Sequence, residues 1–172
     1  NANVTQRVMI YRVTLYFAEL KNSMSLEEIE EMKAELLGIS DKITEIFKQE
    51  EAIKKIAELD KDANDMYYLG RGLDYAVAME GSLKTKEISY IHSESYAAGE
   101  LKHGTIALIE EGTPVIALAT QEHLFDKTVS NVREVTTRGA RVLGIAMEGH
   151  TAIENVVDSV IYIPRVNPIL AP

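Results

Sequence analysis

The sequence predicts an α/β protein: a three-layer αβα parallel sheet preceded by a helical segment. From Met66 onward, short apolar runs alternate with helical patterns, as in parallel strands covered by helices on both faces. Before residue 60 the apolar positions recur only at helical spacing. Between these regimes stands 60–65, DKDAND, polar and rich in turn formers, which marks a boundary. The expected domains are therefore residues 1–61, helical, and 62–172, the sheet region.

Residues 1–6, NANVTQ, are polar and uninformative. From Arg7 to Leu20, Val8, Tyr11, Leu15 and Ala18 recur at helical spacing. Met9, Ile10, Val13, Tyr16, Phe17 and Leu20 make this helix apolar nearly all round, a pattern normally buried against several partners. In an isolated chain it would leave a sticky face. Ser25, with Glu28 three residues on, fits a capping box that opens a second helix, and Gly38 is a natural stop. Further helices are expected over about 40–49 and 50–59, with solvated Lys and Glu faces.

In the sheet region, Met66–Leu69 reads as a strand and Gly70-Arg71-Gly72 as a loop opening a helix of about 73–90. His92–Ala97 is ambiguous between strand and extended loop. Gly99–His103 starts another helix, and Thr105–Ile109 is short and apolar. After the turn Glu111–Pro114 come a strand, Val115–Ala119, and a helix, Leu124–Arg138, stopped by Gly139. Strands at Arg141–Ala146 and Val160–Ile163 follow, with a short helix or turn at Thr151–Asn155 between them.

A chain of 172 residues that is 46% hydrophobic has the material for one sizeable core. The 18 basic and 27 acidic residues leave a net charge of −9, which argues against a broad nucleic-acid or anionic-membrane surface. An anionic small ligand remains compatible, because one loop of N–H donors can hold a phosphate. With no cysteine there is neither a disulfide framework nor a thiol nucleophile. No apolar run reaches the ~20 residues that span a bilayer, and no secretion signal is visible, so a cytoplasmic location is expected.

The chemistry-bearing residues concentrate in 80–104, EGSLKTKEISYIHSESYAAGELKHG. Lys84 and Glu87 share a helix face with Glu80, either as a plain surface pair or as an acid and a base that tune each other. The Gly70-Arg71-Gly72 loop follows a strand and opens a helix, a frequent ligand position, yet is too short for a dinucleotide fingerprint. The four histidines show no metal-ligand spacing, so no metal is expected. His123 and His150 lie in polar turns and read as exposed, whereas His92 is either a core or a site-wall histidine. His103 occupies a polar loop where a near-neutral pKa suits proton transfer.

The stretch KTKEISYIHSESYAAGELKHG, with YLGRG at 68–72, ALIEEGTPVIALA at 107–119 and PRVNPILAP at 164–172, resembles the glucosamine-6-phosphate synthase family. These are the isomerising glutamine–fructose-6-phosphate transaminases, and the likeness is to the second sugar-isomerase (SIS) subdomain, a flavodoxin-like fold. It implies that Glu87 moves a proton between C1 and C2 of the opened sugar. It implies that Lys84 stabilises charge on the sugar oxygens. It makes His103 the histidine that opens the fructose ring, reaching its site from a neighbouring subunit. Arg71 then borders the sugar site as a substrate-binding residue. Ser82 and Thr85 have no evident catalytic role. The implied partners are fructose 6-phosphate and glucosamine 6-phosphate and a second copy of the chain, without cofactor, nucleic acid or membrane.

The family's cysteine-dependent glutaminase domain, the Ser/Thr-rich phosphate loop of the first SIS subdomain and the C-terminal tail with its Schiff-base lysine have no counterpart in these residues. The expectation is a fragment: an inter-subdomain helical segment plus most of the second SIS subdomain, inactive alone. The competing reading is a stand-alone SIS-type phosphosugar-binding or regulatory module. The pairing of Glu87 with His103 favours the first reading, since a sensor needs no base and ring-opening histidine together.

Overall fold

The structure, a computed structural model, describes residues 2–172. It divides into two compact units, one ending at Thr44 and the other spanning Glu45–Pro172. In the first unit, α1 (Ala2–Leu20) packs on α2 (Leu26–Leu37). The helix thus already includes the polar opening residues from Ala2 onward. Leu15, Ala18 and Ile29 are buried, whereas Met9, Ile10, Val13, Tyr16, Phe17 and Leu20 stay exposed.

Ser25 caps α2 as its spacing predicts: its hydroxyl accepts from the Glu28 N–H at 3.2 Å, and the Glu28 carboxylate accepts from the Ser25 N–H at 2.8 Å. That backbone hydrogen bond is the chief reason the Glu28 carboxyl is held below the usual range. Gly38 closes α2 but keeps right-handed backbone, φ −80° and ψ −4°, so α3 (Ile39–Phe47) begins at the next residue.

In the second unit α4 (Glu50–Asp60) precedes β1 (Asp65–Gly70), α5 (Leu73–Ser89) and β2 (His92–Ala97). Two 3-10 turns, Leu101–His103 and Thr105–Leu108, lead into β3 (Pro114–Ala119). Then come α6 (Phe125–Thr136), β4 (Arg141–Met147) and β5 (Ser159–Ile163), with a 3-10 turn at Thr151–Asn155 between the last two. The segment from Gly99 expected as another helix is only a 3-10 turn, because Gly104 at φ 152° breaks it.

All strands are parallel, in the order β2-β1-β3-β4-β5. Alternation along the strands divides the core. Tyr67, Leu69, Val115, Ala117 and Ala119 face α6 residues Phe125, Val132 and Val135, with Leu101 and Ile109 from the β2–β3 connection. Met66, Tyr68 and Leu118 point the other way, to Ala78 of α5. The sheet therefore separates α5 from both α6 and the 3-10 turns. The α4 end is tied in by Arg141, which donates to the Asp60 carboxylate and to the Leu59 carbonyl at 3.0 Å.

Candidate active site

The inner face of α5 explains why its outer face carries the charges. Gly81 lies so close to β1 that an added Cβ would sit 2.8 Å from the Tyr68 ring. The Tyr68 hydroxyl meets the Thr85 hydroxyl at 2.6 Å. Ser82 and Ser93 are buried and bonded reciprocally: Ser82 donates to the Ser93 carbonyl at 2.9 Å, and Ser93 to the Ser82 carbonyl at 2.7 Å. Ser82 and Thr85 thus have a structural role, fixing the rotation of α5 against β1 and β2.

With that rotation set, Lys84 and Glu87 point outward on one face, Nζ to Oε2 2.6 Å, with Glu80 3.8 Å from the same ammonium. Their side chains are 41% and 50% exposed. The hydrogen bond to Glu87, helped by the charges of Glu87 and Glu80, holds Lys84 above the usual lysine range. Lys84 therefore stays an ammonium at neutral pH and serves as donor and counter-charge, not as a base. Exposed apolar side chains, Met79, Leu83 and Ile88, flank the pair on α5, with Tyr90 just beyond its end.

His103 is exposed at the end of its 3-10 turn, whose Leu101 is 2% exposed in the core on the α6 side. The structure thus brings Lys84 and Glu87 together and leaves His103 across the sheet from them. Arg71 turns inward: its Nη1 donates to Asn131 Oδ1 on α6 at 2.6 Å. His92 is exposed and pairs with Asp65 at 2.7 Å, so it is not a core histidine. His123 is exposed as expected. His150 is only partly so, because its ring packs on Phe125 with centroids 4.5 Å apart.

Sequence reasoning missed Asp74, 2% exposed in the first turn of α5. Its carboxylate accepts from the Thr120 N–H at 2.7 Å, the Thr120 hydroxyl at 2.5 Å and the Gln121 N–H at 3.3 Å. Gln121 donates in turn to the Pro168 carbonyl at 3.0 Å, which ties down the PRVNPILAP segment. Burial pushes the Asp74 carboxyl up, and these donors only partly oppose it. The strand order reverses between β1 and β3, where an open parallel sheet ordinarily binds its ligand. Here the Thr120 and Gln121 donors at that crevice are already taken by Asp74. Among the described residues no group of three or more His, Cys, Asp or Glu is poised to hold a metal.

The sequence profile of the SIS domain family matches residues 59–172. The chain belongs to the SIS domain family. Over 171 residues it is 58% identical to glutamine–fructose-6-phosphate aminotransferase [isomerizing] of Clostridium acetobutylicum, covering 99% of this chain and 28% of that protein. It is 60% identical over 168 residues to the enzyme of the same name from Clostridium tetani, covering 98% and 28%. The SIS chain thus spans a little over a quarter of the length of these curated relatives. Among solved structures it is similar to the C-terminal domain of glucosamine-fructose-6-phosphate aminotransferase from Francisella tularensis. The TM-score is 0.85 at 37% identity, over 93% of this chain and 45% of that one. A putative phosphosugar isomerase from Salmonella typhimurium, TM-score 0.70 at 20% identity over 84% of this chain and 44% of that one, shares the SIS fold. No helix among the described residues is long and apolar enough to cross a membrane.

Proposed function

We propose that this chain is part of the isomerase portion of a glutamine–fructose-6-phosphate aminotransferase, which makes glucosamine 6-phosphate from fructose 6-phosphate and glutamine-derived ammonia. Residues 62–172 are read as its second SIS subdomain and residues 1–61 as the helical segment between subdomains. A site shared between two copies of the chain follows. The observation that carries the reading is the Lys84–Glu87 pair at 2.6 Å, held outward by the Ser82 and Thr85 contacts. The high identity to the clostridial enzymes over nearly the whole chain supports the same assignment.

In this reading His103 from a neighbouring copy moves the proton that opens the fructose ring. Ammonia condenses at C2 with loss of water. Glu87 then removes a proton from C1 and returns one to C2, which moves the unsaturation from C2 to C1 and leaves an amine on C2. Lys84, kept protonated by Glu87 and Glu80, stabilises negative charge on the sugar oxygens as the proton moves.

The test is Glu87→Gln in the full-length enzyme. Isomerisation should fall by about 10²–10⁴-fold, the usual contribution of a general base. Exchange of the C1 hydrogen with deuterated solvent should stop with it. A rate near wild type would make the pair a surface ion pair only.

A further inference from the structure

Arg71 comes from the strand–loop–helix position where a phosphate ligand is ordinarily sought, yet its guanidinium is engaged elsewhere. A Cβ placed on Gly99 would lie 3.0, 3.1 and 3.2 Å from Nη2, Nη1 and Cζ of Arg71. Three guanidinium atoms at nearly one distance mean that its flat face lies against the Gly99 backbone. Its edge donates to Asn131, itself 8% exposed. The Ala98 N–H also donates to the Gly70 carbonyl at 2.9 Å, so the two loops are joined directly before Arg71 as well. From Gly99 the chain reaches His103 in four residues. Those residues are held by the Glu100 N–H on Ala97 at 2.8 Å, the His103 N–H on Glu100 at 3.0 Å and buried Leu101.

We propose that Arg71 is a positioning residue for the loop that carries His103. Its guanidinium bridges Gly99 to Asn131 on α6 and thereby sets where the imidazole projects. Glycine at 99 lets the guanidinium lie this close, since a Cβ there would press it back by a few tenths of an ångström. The role requires arginine at 71, because a lysine ammonium has no flat face to lay on a backbone. The proposal rests on the reading of His103 as the ring-opening residue of a neighbouring copy's site. It predicts that Arg71 acts with His103, and not with Glu87 of its own chain.

Complementation in the full-length enzyme separates these cases, using mixed dimers purified through two different tags. The reference dimer joins a Glu87→Gln chain to a His103→Asn chain and should recover about half of wild-type activity, since one of its sites is intact. If this reference stays dead, the shared-site reading fails before Arg71 is tested. With the reference active, a Glu87→Gln chain joined to an Arg71→Ala chain should recover to the same level. No recovery would place Arg71 in the site of its own Glu87 and overturn the proposal.

Alone, Arg71→Ala should lower kcat by about 10–100-fold, as expected for a displaced catalytic group, with KM for fructose 6-phosphate little changed. Added to His103→Asn it should cause no further loss. A raised KM, or an additive loss, would mean direct contact with the sugar phosphate or a general folding defect. Asn131→Ala, which leaves the arginine in place without its anchor, should show the same pattern more weakly and serves if Arg71→Ala does not fold. An Asn131→Ala enzyme with wild-type kcat would remove the bridge from the argument.

Discussion

Replacing Asp74 tests the junction that closes the β1–β3 crevice. In Asp74→Ala the Thr120 N–H and hydroxyl lose acceptors at 2.7 and 2.5 Å, and the Gln121 N–H loses a longer one at 3.3 Å. Each buried donor left unpaired costs about 1–3 kcal/mol, and the longest bond adds little. Relief from burying a carboxylate offsets part of that, so a net loss of about 2–4 kcal/mol is expected. Asp74→Asn keeps the shape: its oxygen accepts from both N–H groups and its amide donates to the Thr120 hydroxyl, so the loss should stay within about 1 kcal/mol.

The sign with pH follows from burial. The Asp74 carboxyl sits above its ordinary value in the folded chain, so the native state holds the proton more tightly than the unfolded one. Its contribution therefore improves as pH falls through the raised value toward the ordinary one near 4. Urea unfolding of the 172-residue chain, followed by circular dichroism at several pH values, checks both points. The wild type should gain on the Asn variant as pH drops. A gain with rising pH would show that the hydrogen bonds outweigh burial, and an Ala variant as stable as wild type would refute the junction itself.

Gly70→Ala should be severely destabilising, because the new Cβ would lie 2.5 Å from the Asp74 backbone, which cannot move without unseating α5. Gly144→Ala should cost far less, since its contact at 2.8 Å is the Ile153 Cδ1, the end of a flexible side chain, and thermal melts of the two variants make the comparison. Ser82→Ala and Ser93→Ala should each cost about 1 kcal/mol and combine non-additively, as partners in one network do; strictly additive losses in a double-mutant cycle would mean the hydroxyls act independently. Calorimetry of this chain with fructose 6-phosphate should detect no binding tighter than millimolar, because the Thr120 and Gln121 N–H donors at the crevice belong to Asp74; micromolar binding would reveal a phosphate site elsewhere in the chain.

The central strands were readable because they are buried on both faces and so appear as unbroken apolar runs such as VIALA at 115–119. Strand β2 was ambiguous because it is an edge: His92, Glu94 and Tyr96 alternate with Ser93 and Ser95, and little of that composition is apolar. The pairing of Lys84 with Glu87 was legible from helical spacing alone. Asp74 was not, since an acidic residue in the first turn of a helix reads as a response to the helix dipole. Only folding brings it to Thr120, 46 residues later. The loop position of Arg71 is legible, whereas its partner Asn131 is 60 residues away and nothing local announces that contact.

The two faces of the sheet also bear on the proposal that the site is shared between two chains. Ala78 seats α5 on one face, and Leu101 seats the His103 turn on the other. The Lys84–Glu87 helix and the His103 turn thus pack on opposite faces of the sheet, which fits the proposal that His103 serves a neighbouring copy's site. In the proposed dimer each copy lends its His103 turn to the other's α5. The exposed apolar side chains beside the Lys84–Glu87 pair, Met79, Leu83 and Ile88, are consistent with a surface that another part of the assembly covers. Such cover would exclude water from the pair and strengthen Lys84's hold on a developing charge, which 41% exposure in this chain alone does not provide.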